Sequence, residues 1–352
     1  MFFIKKKKKV SGIHVGADTV RVVQLVHGEG EGYKAGCAAL SPVQGYFDAV
    51  ERVRNTVQAI GTCKSSVGRR IDKSNFNISC LSWPDIMVTT FNLPEMGQDE
   101  FEQTLLYEIE QVCPFEITTS VVDYQIIEDE NGEHIVEDGK CGCVAAVSPQ
   151  HIIQEHFAIL RKAGLKYTIV DADCMALLNC YESMGKDSDI ALLNIDMSHT
   201  IVAIPDEKAV PFVRNIDYGG KNVINSVVRA KGIRKEDFAG TLRSDSANLS
   251  NDLLDVLNKS CDNLTKSITR TLQFCIAEKQ NCDIKEILLT GELSLMPIIV
   301  EILNQQLDWP VRVWNPFEEI DTANIIGQDL LEKTGSAFAI AAGLAVREPE
   351  YV

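Results

Sequence analysis

The hydrophobic pattern along the first half of the chain alternates between two periods. Stretches that alternate apolar and polar residues predict strands, and stretches with apolar residues three and four apart predict helices. The first unit is a β-hairpin over 10–26 with a Gly-Ala-Asp turn at its centre. We predict further strands at 33–40, 77–81, 88–93, 121–127, 142–147 and 167–171, and helices at 47–61, 99–112 and 149–163.

A second unit with a similar layout begins near residue 189. Its first strands repeat the hairpin of 11–25, which favours a duplicated, two-lobed architecture. A chain of 352 residues is also long enough for two large hydrophobic cores. In this half we predict strands at 190–195, 200–204, 210–216, 285–289 and 311–314, and helices at 222–231, 251–278, 297–307 and 335–347.

Composition is that of a globular protein and narrows the possible partners. Hydrophobic residues make up 45% of the chain and charged residues 24%, and the net charge of −16 argues against nucleic-acid binding because phosphates would be repelled. Eleven cysteines without a C-x-x-C pair predict reduced, mostly buried thiols. Cys141-Gly142-Cys143 has no second Cys/His pair at zinc-like spacing, so we expect no metal there.

The start of the chain carries a cationic segment, Lys5–Lys9, after the apolar residues 1–4. It is either a solvated tail or a contact with an anionic membrane surface, where each lysine would contribute about 1 kcal/mol. The apolar residues precede the lysines, unlike in a signal peptide, and no stretch reaches the roughly 20 apolar residues of a spanning helix. We therefore expect a cytoplasmic protein.

Three turns follow predicted strands in the order found in actin-like ATPases. Gly12–Arg21 has the form of the first phosphate-binding hairpin, G-[LI]-D-[IV]-G-S-x-S-V-K. Asn194–Thr200 resembles the second motif, D-I-G-x-x-x-T, and Leu289–Pro297 resembles the adenosine loop, L-[AT]-G-G-G-[AS]-x-[LM]-P. In such proteins backbone N–H groups hold phosphates and carboxylates hold Mg²⁺. Each motif is weak alone, but the three in order favour this fold.

Further motifs narrow the resemblance to one family. Residues 107–115, Tyr-Glu-Ile-Glu-Gln-Val-Cys-Pro-Phe, are close to W-E-x-E-x-x-I-P-F, and 122–126 follow as in that family. Residues 217–221 resemble its F-G-G-[RK] turn, and 337–345 resemble its closing helix. On these motifs the chain is identified as a member of the PilM family, actin-like proteins of type IV pilus assembly related to FtsA. The resemblance extends from 12 to about 347.

The resemblance implies an α/β fold of the actin-like ATPase type, with two lobes, a central cleft and an inserted subdomain of the FtsA/PilM type. The expected divisions are a basic tail at 1–9, a lobe-one core at 10–84 with 166–188 and 334–347, an inserted subdomain at 85–165, and lobe two at 189–333 with a helical insert at about 219–282.

Several residues depart from the family pattern where nucleotide would bind. His14 and Asn194 replace two carboxylates that would organise Mg²⁺, and Asp196 stands where a glycine would let the backbone approach phosphate. Glu292 and Leu293 replace two glycines of the adenosine loop. These departures together predict a degenerate site. The family's nucleotide positions are here Gly12, His14, Gly16, Ala17, Asp18, Thr19, Arg21, Asn194, Asp196, Ser198, Thr200, Gly219, Gly220, Lys221, Gly291, Glu292 and Met296.

A functional nucleotide site remains the alternative. Asp18 or Asp196 could supply the metal contact from a shifted loop, and the remaining glycines could cradle a phosphate or serve only as tight turns. On that interpretation the protein is an ATP-binding switch whose nucleotide state, with Mg²⁺, controls partner binding. An FtsA-like filament former is a further possibility.

The resemblance favours a scaffold over an enzyme. PilM-like proteins bind the N-terminal tail of the inner-membrane protein PilN in a groove between the lobe-one core and the inserted subdomain, which suits strand pairing and apolar pockets. We expect a peripheral position at the inner membrane, other platform proteins as partners, and no catalytic residue, metal or required cofactor. Candidate partner-binding residues, which could equally form the subdomain's core, are Val88, Thr90, Phe91, Leu93, Tyr107, Pro114 and Phe115.

Overall fold

A computed structural model shows an α/β molecule built on three β-sheets. Residues 5–7 of the basic segment lie outside the part of the chain that the structure describes. That part comprises residues 8–27, 32–44, 49–68, 70–129, 133–137, 139–166, 168–184, 189–206, 210–234, 238, 242, 249–278 and 283–347.

The order of the elements agrees with most of the predicted pattern. The strands are β1 (Lys9–Val15), β2 (Thr19–His27), β3 (Tyr33–Pro42), β4 (Phe76–Leu81), β5 (Met87–Pro94), β6 (Ser120–Ile126), β7 (Val136–Glu137), β8 (Lys140–Pro149), β9 (Thr168–Ala172), β10 (Ile190–Ile195), β11 (Thr200–Ile204), β12 (Phe212–Ile216), β13 (Glu286–Thr290) and β14 (Val311–Val313). The helices are α1 (Ala49–Ser66), α2 (Gln98–Val112), α3 (Gln150–Lys162), α4 (Asp173–Glu182), α5 (Gly220–Lys231), α6 (Asn251–Glu278), α7 (Pro297–Gln306), α8 (Gln328–Thr334) and α9 (Ala339–Val346).

Two of the sheets repeat one topology, as the duplicated hairpin predicts. The first has the order β3-β2-β1-β4-β9 and the second the order β12-β11-β10-β13-β14. In each, the first three strands pair antiparallel and the last two extend the sheet in parallel. Both central strands, β1 and β10, are buried along almost their whole length. Their carboxyl ends therefore lie at corresponding places in the two halves.

The third sheet has the order β5-β8-β6. The short strand β7 pairs antiparallel with the first residues of β8. Helix α2 covers one face of this sheet through Phe101, Leu105 and Ile109, which follow one another at four-residue spacing. The other face packs towards the second sheet, since β5 contacts β12. The divisions of the chain into lobes and subdomains given above stay a prediction.

Helix α9 closes the first sheet from behind. Gly12 makes this possible, because a Cβ at that position would overlap the carbonyl oxygen of Ala341. The predicted closing helix was wrong at its start: a short 3₁₀ turn occupies Gly335–Phe338, and α9 begins at Ala339. Helices α4 and α8 were not predicted. Both are short, and α4 is buried at most positions and lacks amphipathic contrast.

The apolar residues of α2 do not all face the sheet. Tyr107 and Val112 belong to this helix, yet 62% of the Tyr107 surface and 56% of the Val112 surface are exposed. The three-residue buried stripe already covers the sheet, and Tyr107 lies about half a turn away from it. Among the described residues, no helix combines the length and apolar content needed to cross a bilayer.

Candidate functional site

A cavity of about 520 Å³ lies where the ends of β1 and the turn after β10 face each other. The first hairpin supplies His14, the turn residues Gly16 to Asp18, and Arg21. The opposite side supplies Asp196, Ser198, His199 and Lys221. Polar side chains can occur here because the apolar pattern of a buried strand ends with the strand, and the residues beyond it face the cavity. The structure thus brings together most of the predicted nucleotide positions.

Arg21 occupies the centre of this region and is already paired. Its side chain is only 1% exposed, and its Nη2 atom donates to the Glu292 carboxylate in a short ion pair. Its Nη1 atom lies 3.9 Å from Oδ1 of Asp196. The backbone N–H of Glu292 donates to the same Asp196 oxygen at 3.0 Å. One cation from the first sheet therefore holds two anions from the second.

The electrostatics of Asp196 follow from this arrangement. Burial opposes ionisation of its carboxyl, but Arg21, His14 and His199, with the Glu292 N–H, hold the pKa of Asp196 below its usual value. Asp18 behaves in the opposite way. Burial and the nearby Glu292 raise the pKa of Asp18 to about 6, against the lowering effect of Arg21.

His14 stands where the family pattern has an aspartate. Its Nε2 atom lies 4.0 Å from Oδ2 of Asp196, and its Nδ1 atom has no hydrogen-bond partner within the described part of the chain. Burial lowers the pKa of His14 to about 4, although Asp196 acts to raise it. The imidazole is therefore neutral at pH 7 and supplies no negative charge.

Asn194, the second substituted position, also has a structural partner. Its amide nitrogen donates to Oγ1 of Thr290 on the neighbouring strand at 3.0 Å. Thr200 similarly donates to the carbonyl of Tyr218 at 2.7 Å. Among the described residues, no group of three His, Cys, Asp or Glu side chains is placed to hold a metal ion.

The glycines of the motifs are needed for close packing. Gly291 has φ of 86°, and a Cβ there would lie 2.7 Å from the carbonyl oxygen of Ile195. A Cβ at Gly219 would lie 2.6 Å from the carbonyl oxygen of Asp196. Gly16 is less constrained, with its nearest neighbour 3.1 Å away.

Two adenosine-loop residues lie elsewhere than the motif implies. Leu293 and Met296 are 1% exposed and belong to the hydrophobic core around the second sheet. The leucine that replaces a loop glycine therefore adds to the hydrophobic core of the second sheet. Its side chain packs inward, while the neighbouring Glu292 turns to Arg21.

A buried histidine network was missed by the sequence reasoning. Nε2 of His199 lies 3.0 Å from Oδ2 of Asp173, and its Nδ1 atom lies 3.0 Å from Oγ of Ser198. Although burial acts to lower it, the hydrogen bond and charge of Asp173 raise the pKa of His199. No Ser-His-Asp arrangement was expected, because Asp173 begins α4, which the pattern did not reveal. The adjacent Ser198-His199 pair was the only local signal.

The cavity continues away from the hairpin into a groove between α1 and α3. Val53 and Thr56 of α1 line one side, and Ile152 and Ile159 of α3 line the other. The connection at Ser82–Asp85 forms its end. A hydrogen-bonded chain joins this groove to the first sheet: His156 contacts Oγ of Ser79 at 2.9 Å, and that hydroxyl donates to the carbonyl of Ile13 at 2.8 Å.

The predicted partner-binding residues are not brought together. Val88 and Leu93 are buried in different hydrophobic clusters, which is the alternative stated for these residues, a place in the core. Phe91 and Phe115 pack against the α2 cluster, whereas Tyr107 is exposed on the outside of α2. Thr90 is partly buried and Pro114 is exposed. The groove residues could not be predicted from local patterns because they come from three separate segments.

Comparison with known families decides the relationship. A model of the family described as type IV pilus assembly protein PilM matches residues 12–349. The chain belongs to the PilM family. This agrees with the resemblance drawn from the motifs and makes the chain a type IV pilus assembly protein.

Solved structures with the same fold support that placement. A chain of a PilM-PilN type IV pilus biogenesis complex matches with a TM-score of 0.79 and 20% identity, over 97% of this chain and 99% of that one. The ethanolamine utilization protein EutJ from Carboxydothermus hydrogenoformans matches with a TM-score of 0.57 and 12% identity, over 96% and 89% of the two chains.

A diol dehydratase-reactivating factor in nucleotide-free form is a third similar structure. It matches with a TM-score of 0.54 and 9% identity, over 96% of this chain and 99% of that chain. The predicted fold class is confirmed: this is an α/β protein of the actin-like ATPase fold, a fold that commonly binds nucleotide and Mg²⁺.

Proposed function

We propose that this PilM-family chain is a cytoplasmic scaffold of the pilus assembly platform, peripheral at the inner membrane. It binds the N-terminal tail of a PilN-like membrane protein and keeps its cleft closed without nucleotide. The observation that carries the proposal is the buried ion pair between Arg21 and Glu292 at the centre of the cleft. The segment Lys5–Lys9 adds a cationic contact with the membrane surface.

Charge is the first reason that Mg-nucleotide does not fit. Arg21 is the buried cation closest to the phosphate position, and Glu292 and Asp196 already neutralise it. A phosphate oxygen about 4 Å from either carboxylate would be repelled by about 4 kcal/mol per unit charge at an effective dielectric constant of about 20. Nucleotide would have to displace Glu292 from Arg21 before it could bind.

The metal contacts are the second reason. Mg²⁺ requires hard, anionic oxygen ligands in near-octahedral geometry. His14 is neutral, and Asn194 is an uncharged amide whose nitrogen donates to Thr290 while its Oδ1 atom has no hydrogen-bond partner among the described residues. Neither residue supplies the negative charge of a carboxylate. Asp18 is the remaining acid on the hairpin, and burial with the nearby Glu292 raises its pKa to about 6.

The groove between α1 and α3 is the proposed site for the partner peptide. It is open, it carries the half-buried apolar side chains Val53, Ile152 and Ile159, and it lies between the expected lobe-one core and inserted subdomain. An extended peptide with alternating apolar residues would fit such a surface. The PilM-PilN complex named above contains a partner of this kind for its own PilM chain.

The test is the binding of a fluorescent peptide copied from the first residues of a PilN-like protein of the same organism. Ile152→Ser should weaken binding at least tenfold, and millimolar Mg-ATP should leave the affinity unchanged. Val313→Ser is the matched control, since Val313 is also apolar and 38% exposed but lies on β14. Equal loss in both variants, or no peptide binding, would refute the groove.

The second candidate function is the nucleotide-dependent switch. The specific observation in its favour is that the cavity is lined by Gly16, Ala17 and Lys221 of the family's nucleotide positions. In addition, Nε of Arg21 and Oγ1 of Thr19 have no hydrogen-bond partner within the described residues. If Mg-ATP changed the peptide affinity tenfold or more, this function would replace the scaffold.

A further inference from the structure

The excess negative charge of this chain is concentrated in one segment. The 66 residues from Ser74 to Gly139 contain 15 of the 50 acidic residues and none of the 34 lysines and arginines. The remaining residues therefore carry 35 acids against 34 lysines and arginines, which is close to neutral. The net charge of −16 is thus almost entirely a property of the third sheet, its helix α2 and the strand leading to them.

The same segment exposes an unusual amount of apolar surface. Nine large hydrophobic side chains in the described part of the chain are strongly exposed, and five of them belong to this segment. On α2, Leu106 is 43% exposed and Tyr107 is 62% exposed. The five are Leu106, Tyr107, Val112, Val121 and Val136.

Acidic residues border the apolar pair on α2. Glu102, Leu106 and Glu110 follow one another at four-residue spacing and therefore form one row on the outside of the helix. Tyr107 lies beside Leu106 in the next row. Eight residues of helix separate the two glutamates by about 12 Å along the axis. We call the surface of Glu102, Leu106, Tyr107 and Glu110 the α2 face.

Helix stability does not explain this distribution of charge. Acids near the start of a helix are favourable, but Glu108 and Glu110 lie in the second half of α2, where the dipole favours cations, and its last turn carries no basic residue. Among the described residues, no lysine or arginine forms an ion pair with an α2 acid. Oε1 of Glu102 accepts hydrogen bonds from the Tyr124 hydroxyl at 2.9 Å and from Nε2 of Gln98 at 3.5 Å, but neither donor carries a charge that would balance the carboxylate.

We propose that the α2 face is a docking surface for a basic amphipathic helix of another protein. The complementary helix carries cations eight residues apart and an apolar side chain midway, so that its charges meet Glu102 and Glu110 while its apolar group covers Leu106 and Tyr107. An anionic membrane is excluded as the occupant because the acidic face would be repelled by it. The surface is separate from the cavity, so this inference does not depend on the proposed function.

The test uses the full chain and a designed probe. The probe is a fluorescein-labelled, alanine-based helical peptide with lysines at positions i and i+8 and leucines at i+4 and i+5, measured by fluorescence anisotropy. We expect saturable binding that weakens as salt rises. Replacing its lysines by glutamate, or its leucines by serine, should each weaken binding at least tenfold.

Protein variants then locate the site. Glu102→Gln with Glu110→Gln should weaken binding at least tenfold, as should Leu106→Ser with Tyr107→Ser, while circular dichroism confirms that both variants are folded. The control pair Glu301→Gln and Glu332→Gln removes two exposed acids on other helices and should change the affinity less than twofold.

Three results would overturn the proposal. Equal weakening by the control pair would show non-specific attraction of a cation to an acidic protein. Absence of saturable binding would remove the basic helix as the occupant. A concentration-dependent dimer of the wild-type chain that Leu106→Ser with Tyr107→Ser abolishes would assign the face to a second copy instead.

Discussion

The two five-stranded sheets share one strand order, but the charged side chains at their cleft-facing ends differ. The first sheet contributes Arg21, and the turns of the second contribute Asp196 and Glu292. The shared order follows from the apolar alternation that both repeats keep, which fixes strands and their pairing. At the strand ends that constraint is absent, so charges can change without changing the fold. The proposed scaffold uses this freedom to join its lobes by an internal ion pair.

The largest expected effect comes from removing the cation of that pair. Arg21→Ala leaves Glu292 and Asp196 buried without their counter-ion, and breaking a buried ion pair in this way costs about 3–5 kcal/mol. Urea denaturation at pH 7 measures the loss.

Two controls sharpen this prediction. Arg54→Ala breaks an exposed pair with Glu51 and should cost less than about 1 kcal/mol. Arg21→Met combined with Glu292→Leu should recover part of the loss, because the closest pair of buried charges is removed together while Asp196 still loses its counter-ion. A cost below 1 kcal/mol for Arg21→Ala would mean that the pair contributes nothing to joining the sheets.

The next effect concerns the packing of the first sheet against α9. Gly12→Ala places a methyl group against the backbone of Ala341, which cannot move aside as a side chain could, and should destabilise by about 3 kcal/mol. Gly61→Ala is the matched control within α1: its Cβ would meet nothing within 4 Å, and it should stabilise by about 0.5–1 kcal/mol. The same sign for both variants in thermal denaturation would contradict the close approach of α9.

The smallest effect is a pH dependence that distinguishes His14 from surface histidines. Its folded pKa of about 4 lies below the ordinary value of 6.5, so the unfolded chain takes up the proton first as the pH falls. This contribution to stability is complete above pH 6.5 and is lost between 6.5 and 4, amounting to about 2 kcal/mol by pH 5. His156, also lowered to about 4, adds a loss of the same sign.

The measurement is the free energy of unfolding at pH 7 and at pH 5. His14→Gln should reduce the difference between the two pH values by about 2 kcal/mol. His134→Gln, at an exposed position, should leave it unchanged. An unchanged difference in His14→Gln would show that folding does not lower the pKa of this imidazole.

The sequence predicted the repeated architecture well and the site only in part. Strands β1 and β2 were found because their apolar residues alternate, and β10 because it is a short, nearly continuous apolar stretch with which β11 could pair. Helix α4 was missed because a buried helix shows little periodicity, and with it the contact between Asp173 and His199 was missed.

The sequence also could not predict the directions in which the side chains of the site point. The motif identified Glu292 and Leu293 as unusual residues of one loop, but it could not show that Glu292 reaches Arg21 while Leu293 enters the core. The groove between α1 and α3 joins segments about 30 and 70 residues apart in the chain. The local sequence pattern carries no information about contacts between such distant segments, because they meet only when the strands of the sheet pair.

The central claim is that the ion pair of Arg21 with Glu292 stands in place of bound nucleotide. Its most direct test is a calorimetric titration of the purified protein with ATP in excess Mg²⁺, up to millimolar concentration. The account predicts no saturable heat and no shift in the melting temperature. Saturable binding with a micromolar dissociation constant would contradict it and would show that nucleotide displaces Glu292 from Arg21.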